Sequence, residues 1–175
     1  MKSRKILVAI AVIVALASGG YYLLDTTNEK DEAGKGIVTI PAMPEVTELP
    51  DLVVHLGDQS TVYLRDLSGD ILLIFFNPDC DHCQEEAREI AANKSMFEKW
   101  QVYFITSMEA KLAEDFAVNY RLNESNYRFG HAGVPEVFNS VGALKEVPTI
   151  LVYKRSRFIR KFEGPTTMDQ LKEVL

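Results

Sequence analysis

The sequence has only two cysteines, Cys80 and Cys83, among its 175 residues. This scarcity excludes a scaffold held together by several disulfide bonds. It also disfavours a structural zinc site, because two of the four ligands would have to come from other residue types. A disulfide between residues three apart closes a very small loop and removes little entropy from the unfolded chain. Reactive chemistry or metal binding is therefore a better reason for the pair than stabilisation.

The chain also lacks an excess of positive charge. Its formal net charge is -6, and the first 24 residues contribute three basic side chains and no acidic one, which leaves the rest of the chain at -9. Binding to a phosphate backbone requires a basic surface, which so acidic a sequence does not indicate. Nucleic acid is therefore not expected among the partners.

Residues 1–24 are typical of an export signal, because the basic start Met1–Lys5 precedes an apolar run. Two outcomes are open: cleavage after Ala15-Leu-Ala17, a small-x-small site, or retention as a membrane anchor. The run over 6–24 nearly reaches the length of about 20 residues that spans a bilayer, which favours the anchor. Both outcomes place the remainder outside the cytoplasm. Residues 25–48, rich in charge, Thr and Gly, predict a flexible tether, and 49–175 a folded domain.

The folded part alternates short apolar runs with helix-like segments. Periodicity and turn residues predict a hairpin (52–54 and 62–64), a buried strand (71–76), a helix from the cysteines, a strand (101–106), a helix through Phe116 and Tyr120, a loop with Asn123, Asn126, Gly130 and Gly133, a short helix from Pro135, a hairpin (149–153 and 157–162) and a closing helix (166–175). This order predicts an α/β fold with a mixed central sheet flanked by helices.

The cysteines follow the buried strand directly, after the turn signal Asn77-Pro78. Cys80 is therefore expected at the start of a helix, where unpaired N–H groups and the helix dipole stabilise an anion. Cys83, one turn further in, is shielded by its own helix. This difference assigns the attack on a substrate disulfide to Cys80 and the resolution of the resulting mixed disulfide to Cys83.

Four features, spread over roughly 49–175, resemble the thioredoxin superfamily and, within it, the membrane-anchored TlpA-like thiol–disulfide oxidoreductases. They are the entry segments Leu49-Pro-Asp51 and Val62–Gly69, the motif Phe75-Phe-Asn-Pro-Asp-Cys-Asp-His-Cys83, Glu86 three residues after the second cysteine, and Val147-Pro148-Thr149 before a strand.

The resemblance implies a thioredoxin-like fold with an N-terminal β-hairpin extension. It further implies a cis peptide bond before Pro148 and docking of an extended substrate segment by Val147, Pro148 and Thr149. Glu86 becomes the candidate for deprotonating Cys83. A structural alternative exists for Glu86, because the helix dipole alone favours a glutamate in a first turn. No cofactor is required, and no metal site is expected.

Three departures from the family pattern concern redox tuning. Asp79 replaces the usual tryptophan before the first cysteine, Ile74 stands where thioredoxin has a buried aspartate, and Asp81-His82 replaces Gly-Pro. The imidazolium of His82 favours the Cys80 thiolate and hence an oxidant. Asp79 and Asp81 oppose it by placing negative charge beside the sulfur. The redox direction stays open on the residues alone.

Together these features predict an extracytoplasmic thiol–disulfide oxidoreductase, and the resemblance favours a reductant. The expected partners are protein thiols and disulfides, a membrane electron donor and clients such as cytochrome maturation proteins. A monomer is expected, because no feature indicates an oligomer. Two alternatives are a disulfide-forming oxidase or isomerase, and a non-catalytic thioredoxin-fold binding module whose Cys-x-x-Cys is a redox switch or metal clip.

Overall fold

A computed structural model of the chain describes residues 48–175. Within this range no helix is both long and apolar enough to cross a membrane. The predicted anchor (1–24) and nearly all of the predicted tether (25–48) lie outside the described residues, so the division of the chain at residue 49 stays a prediction.

One mixed sheet of seven strands organises the described residues. The three central neighbours β5, β4 and β3 are parallel, and all other pairs are antiparallel. The order across the sheet is β2-β1-β5-β4-β3-β6-β7. The strands are β1 (Val53–Leu56), β2 (Thr61–Tyr63), β3 (Ile71–Phe75), β4 (Gln101–Thr106), β5 (Tyr127–His131), β6 (Thr149–Lys154) and β7 (Arg157–Glu163). The predicted α/β class with a mixed sheet is confirmed.

Helices cover both faces of this sheet. They are α1 (Asp81–Ala92), α2 (Ala110–Asn119), α3 (Val134–Val141) and α4 (Met168–Lys172), with short 3-10 turns at Leu64–Asp66 and Lys94–Met96. Alternate side chains of a strand point to opposite faces, so a strand covered on both faces is apolar throughout. Accordingly, Leu72 and Ile74 of β3 belong to the core with α1, α2 and α4, whereas Leu73 and Phe75 belong to the core with α3.

The predicted entry hairpin is confirmed, but the predicted loop over 123–133 is wrong in part. Residues 127–131 form β5, which joins β1 to the parallel core. Tyr127 and Phe129 are buried and Arg128 is exposed, an alternation that the surrounding Asn and Gly residues obscured. Gly130 permits the close pairing, because a Cβ there would lie 2.6 Å from Cγ1 of Val54 and 2.7 Å from the carbonyl oxygen of His55.

The closing helix is shorter than the predicted 166–175. Thr167 is its N-cap: its hydroxyl accepts a hydrogen bond from the Gln170 N–H (3.3 Å), and the Gln170 Oε1 accepts one from the Thr167 N–H (2.9 Å). This capping box stops the helix from extending back to Thr166. The Thr166 N–H therefore points away from α4, and its partner lies in the candidate site.

Candidate active site

Cys80 lies at the end of the turn that connects β3 to α1. It is the N-cap of α1, with an extended backbone (φ -89°, ψ 121°). The turn before it is held by Asn77, whose carbonyl oxygen accepts from the Cys80 N–H (3.1 Å) and whose Oδ1 accepts from the Asp79 N–H (2.9 Å). Cys80 is half-buried and is a free thiol. The predicted placement at a strand-to-helix junction is confirmed.

The segment before β6 reaches the same point from the other side. The Val147–Pro148 peptide bond is cis, as the resemblance implied. The Sγ of Cys80 lies 3.7 Å from the carbonyl oxygen of Val147, within hydrogen-bond range for a thiol. Thr149, the first residue of β6, is buried and donates its hydroxyl to the carbonyl oxygen of Glu146 (2.6 Å). The fold thus brings residues 80 and 147–149 together.

Cys83 has a different environment. Only 2% of its surface is exposed, and it belongs to the core beneath α1 together with Phe76, Ala87 and Ile90. Burial raises the pKa of its thiol to about 12, with smaller upward contributions from Cys80 and Glu86. A thiol with such a pKa is protonated at neutral pH, so it becomes a nucleophile only if a nearby group takes its proton.

Glu86 is a buried carboxyl one turn further along α1, 4% exposed. Its Oε2 accepts a hydrogen bond from the Thr166 N–H (3.0 Å), and its Oε1 has no hydrogen-bond partner among the described residues. Burial raises the pKa of Glu86 to about 7, although the Thr166 hydrogen bond acts in the opposite direction. A carboxyl with this pKa exchanges a proton readily at neutral pH, which suits a proton acceptor.

Solved structures with this architecture are numerous, although no protein-family model matches the chain and a search of curated proteins finds no significant relative. A secreted disulfide oxidoreductase of Mycobacterium tuberculosis superposes with a TM-score of 0.56 at 16% identity, over 70% of this chain and 91% of that one. A thioredoxin-like protein of Aeropyrum pernix gives 0.57 at 14% identity, over 71% and 87%. A peroxiredoxin-like protein of Aquifex aeolicus gives 0.59 at 13% identity, over 74% and 86%.

The chain has a thioredoxin-like fold. The three similar structures carry names for different thiol chemistries, and at these identities they establish the fold alone. The chemistry of this thioredoxin-like protein must therefore be argued from its own side chains.

The three predicted tuning residues lie directly before and after Cys80 in the chain. Asp79, Asp81 and His82 are all exposed, and their side chains make no hydrogen bond or ion pair with another described residue. Any effect of these side chains on the Cys80 sulfur is therefore expected to come from their charge. Their roles stay predictions, as do those of Cys80, Cys83, Glu86 and residues 147–149.

Sequence reasoning missed Thr166, the partner of Glu86. The two residues are 80 positions apart, and nothing in the local sequence of either one indicates the contact. The pattern Thr167-x-x-Gln170 would have placed the helix start correctly and left the Thr166 N–H in need of an acceptor. It would not have named Glu86 as that acceptor.

The metal-clip alternative gains no support from residues 48–175. Within that range no group of three or more His, Cys, Asp or Glu side chains is arranged to hold a metal ion. Cys80 and Cys83 are the only two thiols available in the chain, and Cys83 lies in an apolar core.

Proposed function

We propose that this chain is an extracytoplasmic thiol–disulfide oxidoreductase that exchanges a Cys80–Cys83 dithiol and disulfide with protein cysteines. One observation carries the proposal: the half-buried Cys80 sulfur at a helix N-terminus faces the Val147 carbonyl oxygen at 3.7 Å, with the buried Cys83 one turn behind it. In this proposal the half-buried Cys80 reacts with the substrate, and the buried Cys83 reacts only with Cys80.

In the first step the Cys80 thiolate attacks one sulfur of a substrate disulfide. A bond forms between Cys80 and that sulfur, the substrate disulfide breaks, and the second substrate sulfur leaves as a thiolate. The unpaired N–H groups at the start of α1 stabilise the attacking anion. The backbone of Val147 and the adjoining Pro148 and Thr149 hold the substrate segment in an extended form beside Cys80.

In the second step Cys83 resolves the mixed disulfide. The Glu86 carboxylate accepts the Cys83 proton, directly or through a water molecule, and the Cys83 thiolate attacks the Cys80 sulfur. The Cys80–Cys83 disulfide forms and the substrate leaves as its second thiolate, so two electrons have passed from the protein to the substrate. The two thiols supply these electrons, and no separate cofactor enters the reaction.

The location and direction of this exchange rest on the sequence. The basic start and apolar run of residues 1–24 support export and membrane retention, and the similar Mycobacterium tuberculosis oxidoreductase is described as secreted. The TlpA-like resemblance supports reduction of exported proteins, with electrons supplied by a membrane donor and with cytochrome maturation proteins among the clients.

The test measures insulin-disulfide reduction and the reduction potential of the full-length protein in glutathione buffers, with bound zinc determined on the same sample. A potential near -270 mV or below, about that of thioredoxin, supports a reductant. A value towards about -120 mV identifies a disulfide-forming oxidant instead. Stoichiometric zinc, or a cysteine pair that does not cycle, contradicts the proposal.

A further inference from the structure

Two grooves of opposite chemistry are lined by neighbours of Cys80: one by Val147, whose carbonyl oxygen faces the Cys80 sulfur, and the other by His82, two residues further along the chain. The first, here called the apolar groove, has a volume of about 340 Å³ and contains no charged side chain in its lining. It includes Phe76, Val134, Val137, Phe138, Leu144 and Val147. Val147 also faces the Cys80 sulfur through its carbonyl oxygen, so this one residue borders both the apolar groove and the reacting atom.

The helix α3 leaves apolar surface open at this groove. Val137 and Val141 of α3 are buried in the core, whereas Val134 is 65% and Phe138 is 55% exposed. Single exposed apolar side chains are ordinary, but these two line one concave surface next to a reactive thiol. A large apolar side chain that covers them would gain the free energy of removing both surfaces from water.

The second groove, here called the acidic groove, lies between α1 and the start of α4. Its volume is about 400 Å³, and its lining includes His82, Glu85, Glu86, Glu89, Thr166 and Met168. His82, two residues after Cys80, connects it to the active site. Glu86 contributes a buried carboxyl whose Oε1 has no hydrogen-bond partner among the described residues.

Carboxylates outnumber basic side chains around the acidic groove. The exposed Asp79 and Asp81 flank Cys80 in the chain, and Glu85 and Glu89 follow on α1. The one basic side chain on α1, Arg88, forms an ion pair with Glu85, which offsets part of the charge of that carboxylate, and lies over the ring of Tyr120 at 5.7 Å. Carboxylates arranged in this way attract basic segments and repel acidic ones.

We propose that Cys80 reacts preferentially with protein segments that carry a basic side chain on one side of the reactive cysteine and a large apolar side chain on the other. The basic side chain meets the acidic groove and the apolar one meets the apolar groove. This inference rests on the proposed function, because it describes the substrates of that same site. Repulsion of acidic segments adds to the selectivity.

The probes are four ten-residue peptides, each with one cysteine held in a disulfide with thionitrobenzoate. Attack by the Cys80 thiolate on the peptide sulfur forms the mixed disulfide and releases coloured thionitrobenzoate, which leaves with the bonding electron pair. Two peptides carry Lys-Lys and Leu-Phe on opposite sides of the cysteine, in the two possible orders. The third replaces the lysines of the better order by glutamates, and the fourth replaces its Leu-Phe by Ser-Ser. The full-length protein is used, reduced, in one non-ionic detergent.

One of the two basic–apolar orders is expected to react at least about tenfold faster than its glutamate analogue at low ionic strength, with the ratio falling as salt is added. It is also expected to exceed its serine analogue severalfold. In Glu85→Gln/Glu89→Gln the lysine-to-glutamate ratio should fall towards one, and in Phe138→Ala the Leu-Phe-to-Ser-Ser ratio should fall. Ratios measured on one variant cancel any change in the reactivity of the thiol itself.

The matched controls are substitutions that remove a carboxylate or trim an apolar side chain at positions outside the site. Glu98→Gln removes a negative charge beyond the C-terminal end of α1, and Val118→Ala trims an exposed apolar side chain on α2. Both should keep the wild-type ratios. Four peptides that react equally, or a preference that survives the variants, would overturn this inference while leaving the oxidoreductase intact. A protein that reacts neither with the peptides nor with a small aromatic disulfide would overturn the proposed function as well.

Discussion

The solvent side and the inner side of the first turns of α1 carry the same kinds of groups in opposite environments. On the solvent side a thiol, Cys80, stands among exposed Asp79, Asp81 and His82. On the inner side a thiol, Cys83, lies in an apolar core near the buried carboxyl Glu86. Burial raises the pKa of Cys83 to about 12 and that of Glu86 to about 7.

The two environments determine how strongly neighbouring groups can affect each thiol. In water the field of one charge is weakened by solvent, so the exposed residues can adjust Cys80 only slightly. In the interior the cost of ionisation is large, so under the proposed mechanism Cys83 loses its proton only when the Glu86 carboxyl is ionised and can accept it. Substitutions on the inner side should therefore change the resolving step and the stability strongly, whereas charge changes beside Cys80 on the solvent side should change its reduction potential only weakly.

Removal of either thiol should have the largest effect, and the two losses should differ in kind. Cys80→Ser is expected to abolish insulin-disulfide reduction, because the remaining thiol is buried and protonated. Cys83→Ala is expected to complete the first step and then stop, so that mixed disulfides accumulate. Non-reducing gel electrophoresis after incubation with a disulfide-bonded protein separates the two. Mixed disulfides of equal yield in both variants would contradict the assignment of roles.

Glu86→Gln should slow the resolving step by about 10²-fold, within the range that a general base contributes. In the wild-type protein the rate of this step should rise with pH through about 7, as the Glu86 carboxyl loses its proton. The variant should lose this inflection, because an amide does not titrate. Rapid-mixing kinetics of a preformed mixed disulfide measure the step.

Glu98→Gln is the matched control, because it removes a carboxyl from an exposed position outside the site. It should keep both the rate and the pH profile of the wild-type protein. A Glu86→Gln variant with a wild-type inflection would assign the titration to another group.

The same substitution should change how stability depends on pH. The pKa of Glu86 is about 7 in the folded chain, above the unfolded value of about 4.3, so the folded chain binds more protons between these two values. The contribution of Glu86 to the free energy of unfolding is therefore fully present below about pH 4, declines as the pH rises and is lost above about pH 7. The full change amounts to about 4 kcal/mol, about 3 kcal/mol of it between pH 5 and 8, and Glu86→Gln removes it from the pH dependence. Urea unfolding of the reduced proteins at pH 5 and 8 measures it, and a constant difference between the two proteins would contradict it.

The sequence alone predicts the site residues on the solvent side of α1 but only some of those on the inner side. Cys80 and Cys83 were found because a buried strand, a turn signal and a helix start are adjacent in the chain. Glu86 came only from family resemblance, because its burial depends on packing against residues far away in the sequence. Thr166 was missed because its contact with Glu86 joins segments 80 residues apart. Local pattern predicts local structure, whereas the buried carboxyl depends on tertiary packing.

The strand β5 was missed for a related reason. The Asn and Gly residues in and beside it favour a loop, whereas the structure shows that this strand needs a glycine at position 130, because β1 lies too close for a side chain there. The apolar groove was equally hidden. The sequence predicts the short helix from Pro135 that carries Phe138, but only the fold shows that Phe138 lines a concave surface with Val147.

Asp79→Asn should have the smallest effect, because Asp79 is exposed and its side chain forms no hydrogen bond or ion pair with another described residue. Loss of its negative charge stabilises the Cys80 thiolate of the reduced protein and so raises the reduction potential, by about 20 mV or less. Asp81→Asn should act in the same direction, and His82→Gln in the opposite one. Equilibration with glutathione at low and high salt measures these shifts, which should shrink as salt is added. A salt-independent shift of more than about 60 mV would mean that Asp79 acts through structure, and the contrast between the two sides of α1 would fail.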